Sequence, residues 1–291
     1  MPFNEKYINI KKLAQAEINF IEKYMVQCIN VREPLNSHII SFITAPSKRV
    51  RPLLSILFFK SLYNDINQEQ LKALSAVEII HSASLIHDDI IDQSVIRRGL
   101  TTIAHEFGNK LGVISGDYLL SIAMKILTEI GVMELLSKIS FTMNSMCVGE
   151  INQNFDRFKI GTIEEYIEKS KNKTAYLFET GMLSPFLINK IENEHASSFG
   201  INTGIAFQIR DDLLNLIKSD MLKPVQNDIS NGIYNAPVIY AGSSENYHNG
   251  VEKTKDLLNN YINKAYLDIK ILPDNEYKAG LEQFLELLKF D

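Results

Sequence analysis

Apolar residues recur along this chain at helical spacing. Ala14, Ile18, Ile21 and Met25 step by four, three and four, which is the stripe of an amphipathic helix. Leu258, Tyr261 and Ala265, then Leu281, Leu285 and Leu288, carry the same period to the end of the chain. Thr162 followed by Glu165 forms a capping-box pattern and predicts a helix over about 163–171. Pro46 and Ser47 mark a loop ahead of the apolar run Leu53–Phe59, while Gly131, Gly161 and Gly232 separate further helical stretches. Strand alternation is scarce, and neither Asn231-Gly232 nor Asn249-Gly250 has the alternating flanks of a hairpin. The pattern predicts an all-α protein of roughly ten or more helices, without internal repeats.

Composition narrows the class. The 291 residues contain no Pro/Ser/Gly-rich linker, which predicts a single domain over 1–291. With 45% hydrophobic and 22% charged residues the chain can bury a sizeable core. A formal net charge of -5 argues against nucleic acid as the main partner, because a binder of phosphate backbones carries an excess of Lys and Arg. Cys28 and Cys147 offer neither a disulfide framework nor metal-ligand spacing, so a cytoplasmic location is expected. No stretch approaches the roughly 18 consecutive apolar residues of a spanning helix, and no transmembrane segment is expected.

Against this background the segment His81-Ser-Ala-Ser-Leu-Ile-His-Asp-Asp-Ile-Ile-Asp92 is anomalous, since it sets three carboxylates in mostly apolar surroundings. On a helix Asp88 and Asp92 share a face at i and i+4, about 5–6 Å apart at Cβ, and Asp89 turns about 100° away. Like charges so placed are costly unless a cation lies between them. A second such face is formed by Gln208, Asp211, Asp212 and Asn215 in Phe207-Gln-Ile-Arg-Asp-Asp-Leu-Leu-Asn215. Two acidic helix faces can meet across a bundle core, and hard oxygen ligands favour Mg²⁺ or Mn²⁺. Mg²⁺ held by few carboxylates completes its shell with water and substrate phosphates, which implies a diphosphate substrate. Cations stand where phosphate needs them: Lys48, Arg49 and Arg51 before the first acidic helix, Arg97 and Arg98 after it, and Lys173 with Thr174 further on.

Lys48-Arg-Val-Arg-Pro52, Ser84-Leu-Ile-His-Asp-Asp-Ile-Ile-Asp92, Arg97-Arg-Gly99, Gly116-Asp-Tyr-Leu-Leu120, Lys173-Thr-Ala175 and Phe207-Gln-Ile-Arg-Asp-Asp212 together resemble the trans-type polyprenyl diphosphate synthases. The match runs in order from about residue 40 to Leu272-Pro273 and Lys278, and it includes Lys223 and Asp228 at the positions of the family's active-site lid. Order and number make it specific, because the DDxxD pattern alone is shared with class I terpene cyclases. The resemblance implies the isoprenoid synthase fold around a deep central cavity, usually as a homodimer. It also implies a chemistry. Asp88, Asp92 and Asp211 would hold Mg²⁺ on the diphosphate of an allylic substrate, supported by Asp89 and Asp212. Arg97, Lys173, Thr174 and Gln208 would grip that substrate, and Lys48, Arg51, His81 and Arg98 would hold isopentenyl diphosphate. Ionisation of the allylic diphosphate, attack by the isopentenyl double bond and loss of a proton to the departing diphosphate would complete the condensation. His87 reads as structural.

Ala83 and Ser84, one turn before Asp88, lie where the family's growing tail would pass. Short-chain members often carry a bulky aromatic there, so the small pair predicts a medium to long product, with Tyr118, Met124 and Met143 as candidate floor residues. Three departures stand out: Ser47 for a glycine, Asn215 for the third aspartate of the second motif, and Ile233 for a diphosphate-binding lysine. Two other classes are weighed. A terpene cyclase would need an Asn/Ser/Glu metal triad and no Lys48/Arg51 cluster, and a non-catalytic subunit would tend to lose the acidic motifs. A catalytic component of a heptaprenyl-type synthase that requires a small unlike subunit stays open beside the homodimer.

Overall fold

The computed structural model describes residues 2–222 and 229–290, so Lys223 and Asp228 lie outside the described residues. The helices are α1 (Pro2–Lys12), α2 (Gln15–Gln27), α3 (Leu35–Thr44), α4 (Val50–Tyr63), α5 (Gln68–Ile91), α6 (Ile103–Phe107), α7 (Asn109–Ile130) and α8 (Met133–Phe155). After them come α9 (Ile163–Ser170), α10 (Tyr176–Ile188), α11 (Glu194–Leu222), α12 (Ala236–Ala241), α13 (Val251–Ile269) and α14 (Glu276–Leu288). The all-α expectation holds, with one addition: strands β1 (Ile96–Arg97) and β2 (Leu100–Thr101) form a minimal antiparallel hairpin. No alternating pattern announces it, because its register depends on the turn. Arg98 and Gly99 both take positive φ, +53° and +81°, as a two-residue primed turn requires. Glycine does so without cost, whereas an arginine there is strained and has to be held by its surroundings.

The chain packs as two compact units. One comprises residues 11–136 and 183–192, the other 1–10, 137–182 and 193–291. In the first, α4 is buried on nearly every side, and Phe58, Phe59 and Tyr63 meet Phe186 with ring centroids 5.0–6.1 Å apart. Helix α5 opens on a reciprocal cap, in which the Gln70 amide N–H donates to Asn67 Oδ1 and the Asn67 N–H to Gln70 Oε1. The Gln70 side chain also donates to the Pro185 carbonyl at 2.9 Å, pinning the helix start. Helix α7 packs along α5 with Gly112, Ser115, Gly116, Leu119, Ile122, Ala123, Ile126 and Leu127, a continuous helical stripe. By length and composition α7 is also the one helix among the described residues long and apolar enough to cross a membrane, although 44% of that window is buried inside the protein.

In the second unit α11 packs on α13, where Asn202 donates to Asp268 at 2.8 Å. Phe178, Phe199 and Phe284 are among its fully buried side chains, and Tyr7 from α1 meets Phe284. A buried polar chain stiffens it: Lys138 and Ser197 both donate to Glu179, and Thr142 bonds Thr180. Near the C-terminus Lys278 donates to the Leu272 carbonyl at 3.0 Å and to Asp274 at 2.7 Å. Helix α9 begins at the expected capping box but ends at Ser170, where residues Lys171–Ala175 widen into a π turn before α10. Such turns cluster at functional sites, and this one carries Lys173 and Thr174.

Candidate active site

In the first unit the last turn of α5 presents the aspartates. Asp88 is half-buried and Asp92 exposed on one face, while Asp89 is 2% exposed and accepts from Arg97 Nε. Burial pushes the Asp89 carboxyl up, and Arg97 opposes that shift. The chain then turns back: the Ser94 N–H donates to the Asp89 carbonyl and the Thr102 hydroxyl to the Ser94 carbonyl. This closes the hairpin that carries Arg97 and Arg98. Asp88 and Asp92 sit at the C-terminal end of α5, where the helix dipole is negative, so a cation there relieves both their mutual repulsion and the dipole.

Behind this acidic edge lies a crowded set of cations. Burial holds the Arg51 guanidinium down to about 10, with Arg98 adding to the shift and Glu78 opposing it. Burial also lowers Arg98, and Arg49 repels it. The His81 imidazole is held well below its ordinary value, first by burial and then by Arg51, Arg98, Arg49 and Arg97, so it is neutral at neutral pH. Arg98 Nη1 is buried with no hydrogen-bond partner among the described residues. Desolvated cations in such number call for an anion. Arg49 is set apart from the others. It is 4% exposed and donates to Glu22 at 3.1 Å, Glu78 at 3.3 Å and the Ile43 carbonyl, which makes it an internal brace rather than a phosphate ligand. Lys48 is exposed at the edge of the same loop. Ala83 is fully buried and Ser84 half-buried, its hydroxyl donating to the His81 carbonyl. Of the candidate floor residues in this unit, the Tyr118 hydroxyl accepts the Asn30 N–H and Met124 is exposed.

In the second unit Gly200, Gly204, Gln208 and Asp212 repeat every four residues on one face of α11. A Cβ at Gly204 would lie 2.6 Å from the Ala175 Cα and one at Gly200 2.6 Å from the Glu179 Cα, so only glycine admits this approach of α11 to the π turn and α10. That contact delivers Gln208 to Thr174, whose hydroxyl donates to Gln208 Oε1 at 2.6 Å. Gln208 Nε2 donates in turn to Asp212 Oδ1 at 2.9 Å, and Tyr166 from α9 donates to Asp212 Oδ2 at 2.6 Å. Burial and then Asp212 raise the Tyr166 hydroxyl well above its ordinary value, so it remains a donor. Asp211 and Asn215 are exposed together on another face, one turn apart. Lys173 is exposed and lies 3.5 Å from Glu150, and Met143 is half-buried.

The two aspartate pairs thus have the same local design, in which the first residue projects and the second is buried against protein donors. Among the described residues no three His, Cys, Asp or Glu side chains converge as a ready-made metal cage. The all-oxygen donor sets suit Mg²⁺, which takes the rest of its shell from water and phosphate. Sequence reasoning missed Tyr166, whose signal was only an aromatic on an amphipathic helix, and also the Gly200-Gly204 pair, visible as small residues four apart. A cavity of about 410 Å³ borders Tyr166, Lys169, Asn172 and Tyr234, and Ile233 lines it where the resemblance would place a lysine.

The polyprenyl synthetase family model matches residues 32–269. A prenyl transferase of Cyanidium caldarium is 31% identical over 94% of this chain and 96% of its own. Heptaprenyl diphosphate synthase component 2 of Bacillus subtilis is 31% identical over 77% of this chain and 66% of its own. The polyprenyl synthase of Caulobacter crescentus, solved with calcium and isoprenyl diphosphate, superposes with a TM-score of 0.86 at 22% identity, covering 97% of both chains, and so shares the fold. On the extent of these matches and the order of its motifs, the chain belongs to the polyprenyl synthetase family.

Proposed function

We propose that this protein is a Mg²⁺-dependent trans-prenyltransferase that condenses isopentenyl diphosphate with an allylic diphosphate and repeats the step to a medium or long polyprenyl diphosphate. The observation that carries the reading is the desolvated pair Arg51 and Arg98, with Arg97 beside them, around a neutral His81, behind a helix end that bears Asp88 and Asp92. Arg51, His81, Arg98 and Lys48 bind isopentenyl diphosphate by charge-assisted hydrogen bonds. Arg97, Lys173, Thr174 and Gln208 orient the allylic diphosphate, and Asp88, Asp92 and Asp211 are the metal ligands. Bound Mg²⁺ supplies Lewis acidity to the leaving diphosphate. Asp89 and Asp212, each held by the protein, keep their neighbours aimed.

The allylic C–O bond breaks, the isopentenyl double bond forms the new C–C bond, and the proton leaves with the diphosphate. Purified protein with Mg²⁺, isopentenyl diphosphate and farnesyl or geranyl diphosphate should yield elongated products. None, with or without a small partner subunit, would sink the reading. The partner arm is included because the Bacillus relative is one component of a synthase. Product sizing also tests the gauge: Ala83→Phe should shorten the chain by one or more five-carbon units, and an unchanged length would remove Ala83 from that role. The face of α7 away from α5 exposes Leu111, Val113, Ile114 and Met124 at 36–49%, an apolar row suited to a second copy. Light scattering should therefore give twice the 33.1 kDa chain mass, and a monomer at micromolar concentration would refute the homodimer.

A further inference from the structure

We propose that Tyr166 is a positioning residue that fixes Asp212 and thereby aims Asp211 at the cation, an inference that rests on the proposed prenyltransferase reading. Asp212 is buried and accepts from Tyr166 at 2.6 Å on Oδ2 and from Gln208 at 2.9 Å on Oδ1. The two donors come from different elements. Gln208 lies on α11 itself, one turn before Asp212, and is held in turn by Thr174 of the π turn. Tyr166 lies on α9 and is 2% exposed, so its hydroxyl ties the rotation of α11 to a second, independently capped helix. Asp211 is next along the helix, turned by about 100° and exposed. Its direction therefore depends on how Asp212 is held, with Tyr166 adding a tether from α9 to the contacts that α11 makes with the π turn and α10.

Short O–H···O bonds to a carboxylate are the stronger kind and hold a defined geometry. Outer groups of this sort are typically worth about 10-fold or more in metal affinity. Thr174 extends the chain on the other side, since its hydroxyl bonds Gln208 Oε1 and so orients the amide that donates to Asp212. Asn215, where the family pattern has a third aspartate, adds no charge to this face. That makes the aim of Asp211 more consequential here than it would be beside a further carboxylate.

The test is Tyr166→Phe, with Tyr234→Phe as a control that lines the same cavity. Mn²⁺ is titrated into the protein in the presence of inorganic pyrophosphate, and free Mn²⁺ is read by electron paramagnetic resonance. Y166F should weaken Mn²⁺ binding by about 10-fold and raise the KM for the allylic diphosphate. It should leave the KM for isopentenyl diphosphate and, within a few degrees, the Tm unchanged, and Y234F should resemble the parent. A merely structural role would lower Tm and both affinities together. Equal or tighter Mn²⁺ binding in Y166F overturns the proposal, as does a parent protein that binds no Mn²⁺ under these conditions. If Y166F does not fold, Asp212→Asn must show the same Mn²⁺ loss, and parent-like affinity there overturns the proposal. Binding is read without turnover, so a failure of the prenyltransferase reading would appear separately, as a parent that binds Mn²⁺ and makes no product.

Discussion

Asp88→Ala is expected to reduce elongation by roughly 100-fold or more, because metal stabilisation of a leaving group is worth several kcal/mol and each ~1.4 kcal/mol is tenfold in rate. The same variant should keep the parent's fold, because Asp88 stands in the last turn of α5 and is not one of its buried residues. A fall in elongation without a matching fall in stability assigns the effect to the chemistry. Incorporation of labelled isopentenyl diphosphate and a thermal melt on the same sample read both. Parent-like elongation at ordinary Mg²⁺ would remove Asp88 from the metal set, and a large fall in Tm would show that its role is structural. Asp89 makes the contrast plain: its carboxylate is buried against Arg97, so it supports the turn and the hairpin.

The second large effect concerns stability rather than catalysis. Arg49→Met should destabilise the protein by about 3–5 kcal/mol, the range for breaking a buried ion pair from one side. Arg49 joins Glu22, Glu78 and the Ile43 carbonyl, and its side chain and that of Glu78 are 2% and 3% exposed. Its loss takes the hydrogen-bonded partner from the buried Glu78 carboxylate and leaves it only the field of Arg51 and Arg98. The cost comes from that poorly satisfied buried charge more than from lost attraction, so the double variant Arg49→Met/Glu78→Met should recover much of the fall. A thermal melt of the three proteins decides. A Tm for Arg49→Met within a degree of the parent would show that Glu78 finds another partner. The result also separates neighbours: Arg49 braces the loop, while Lys48 and Arg51 are the proposed phosphate ligands.

The helices were legible in the chain because their cause is local. A 3.6-residue apolar period and caps such as Thr162 with Glu165 act within one or two turns, so the order of residues suffices to specify them. The two acidic faces were legible for the same reason, since carboxylates at i and i+4 share a face in any helix. What the chain could not say is which member of each pair projects. That depends on partners outside the helix that carries each pair: Arg97, brought back to Asp89 by a turn that requires Arg98 and Gly99 at positive φ, and Tyr166, brought to Asp212 where Gly200 and Gly204 let α11 close on the π turn. The separation of Arg49 from Lys48 and Arg51 is of the same kind, because three adjacent cations look alike until burial assigns one of them to Glu78. Local periodicity determined the elements and the chemistry they carry, whereas close packing and desolvation, which exist only in the folded chain, decided the task of each charged group.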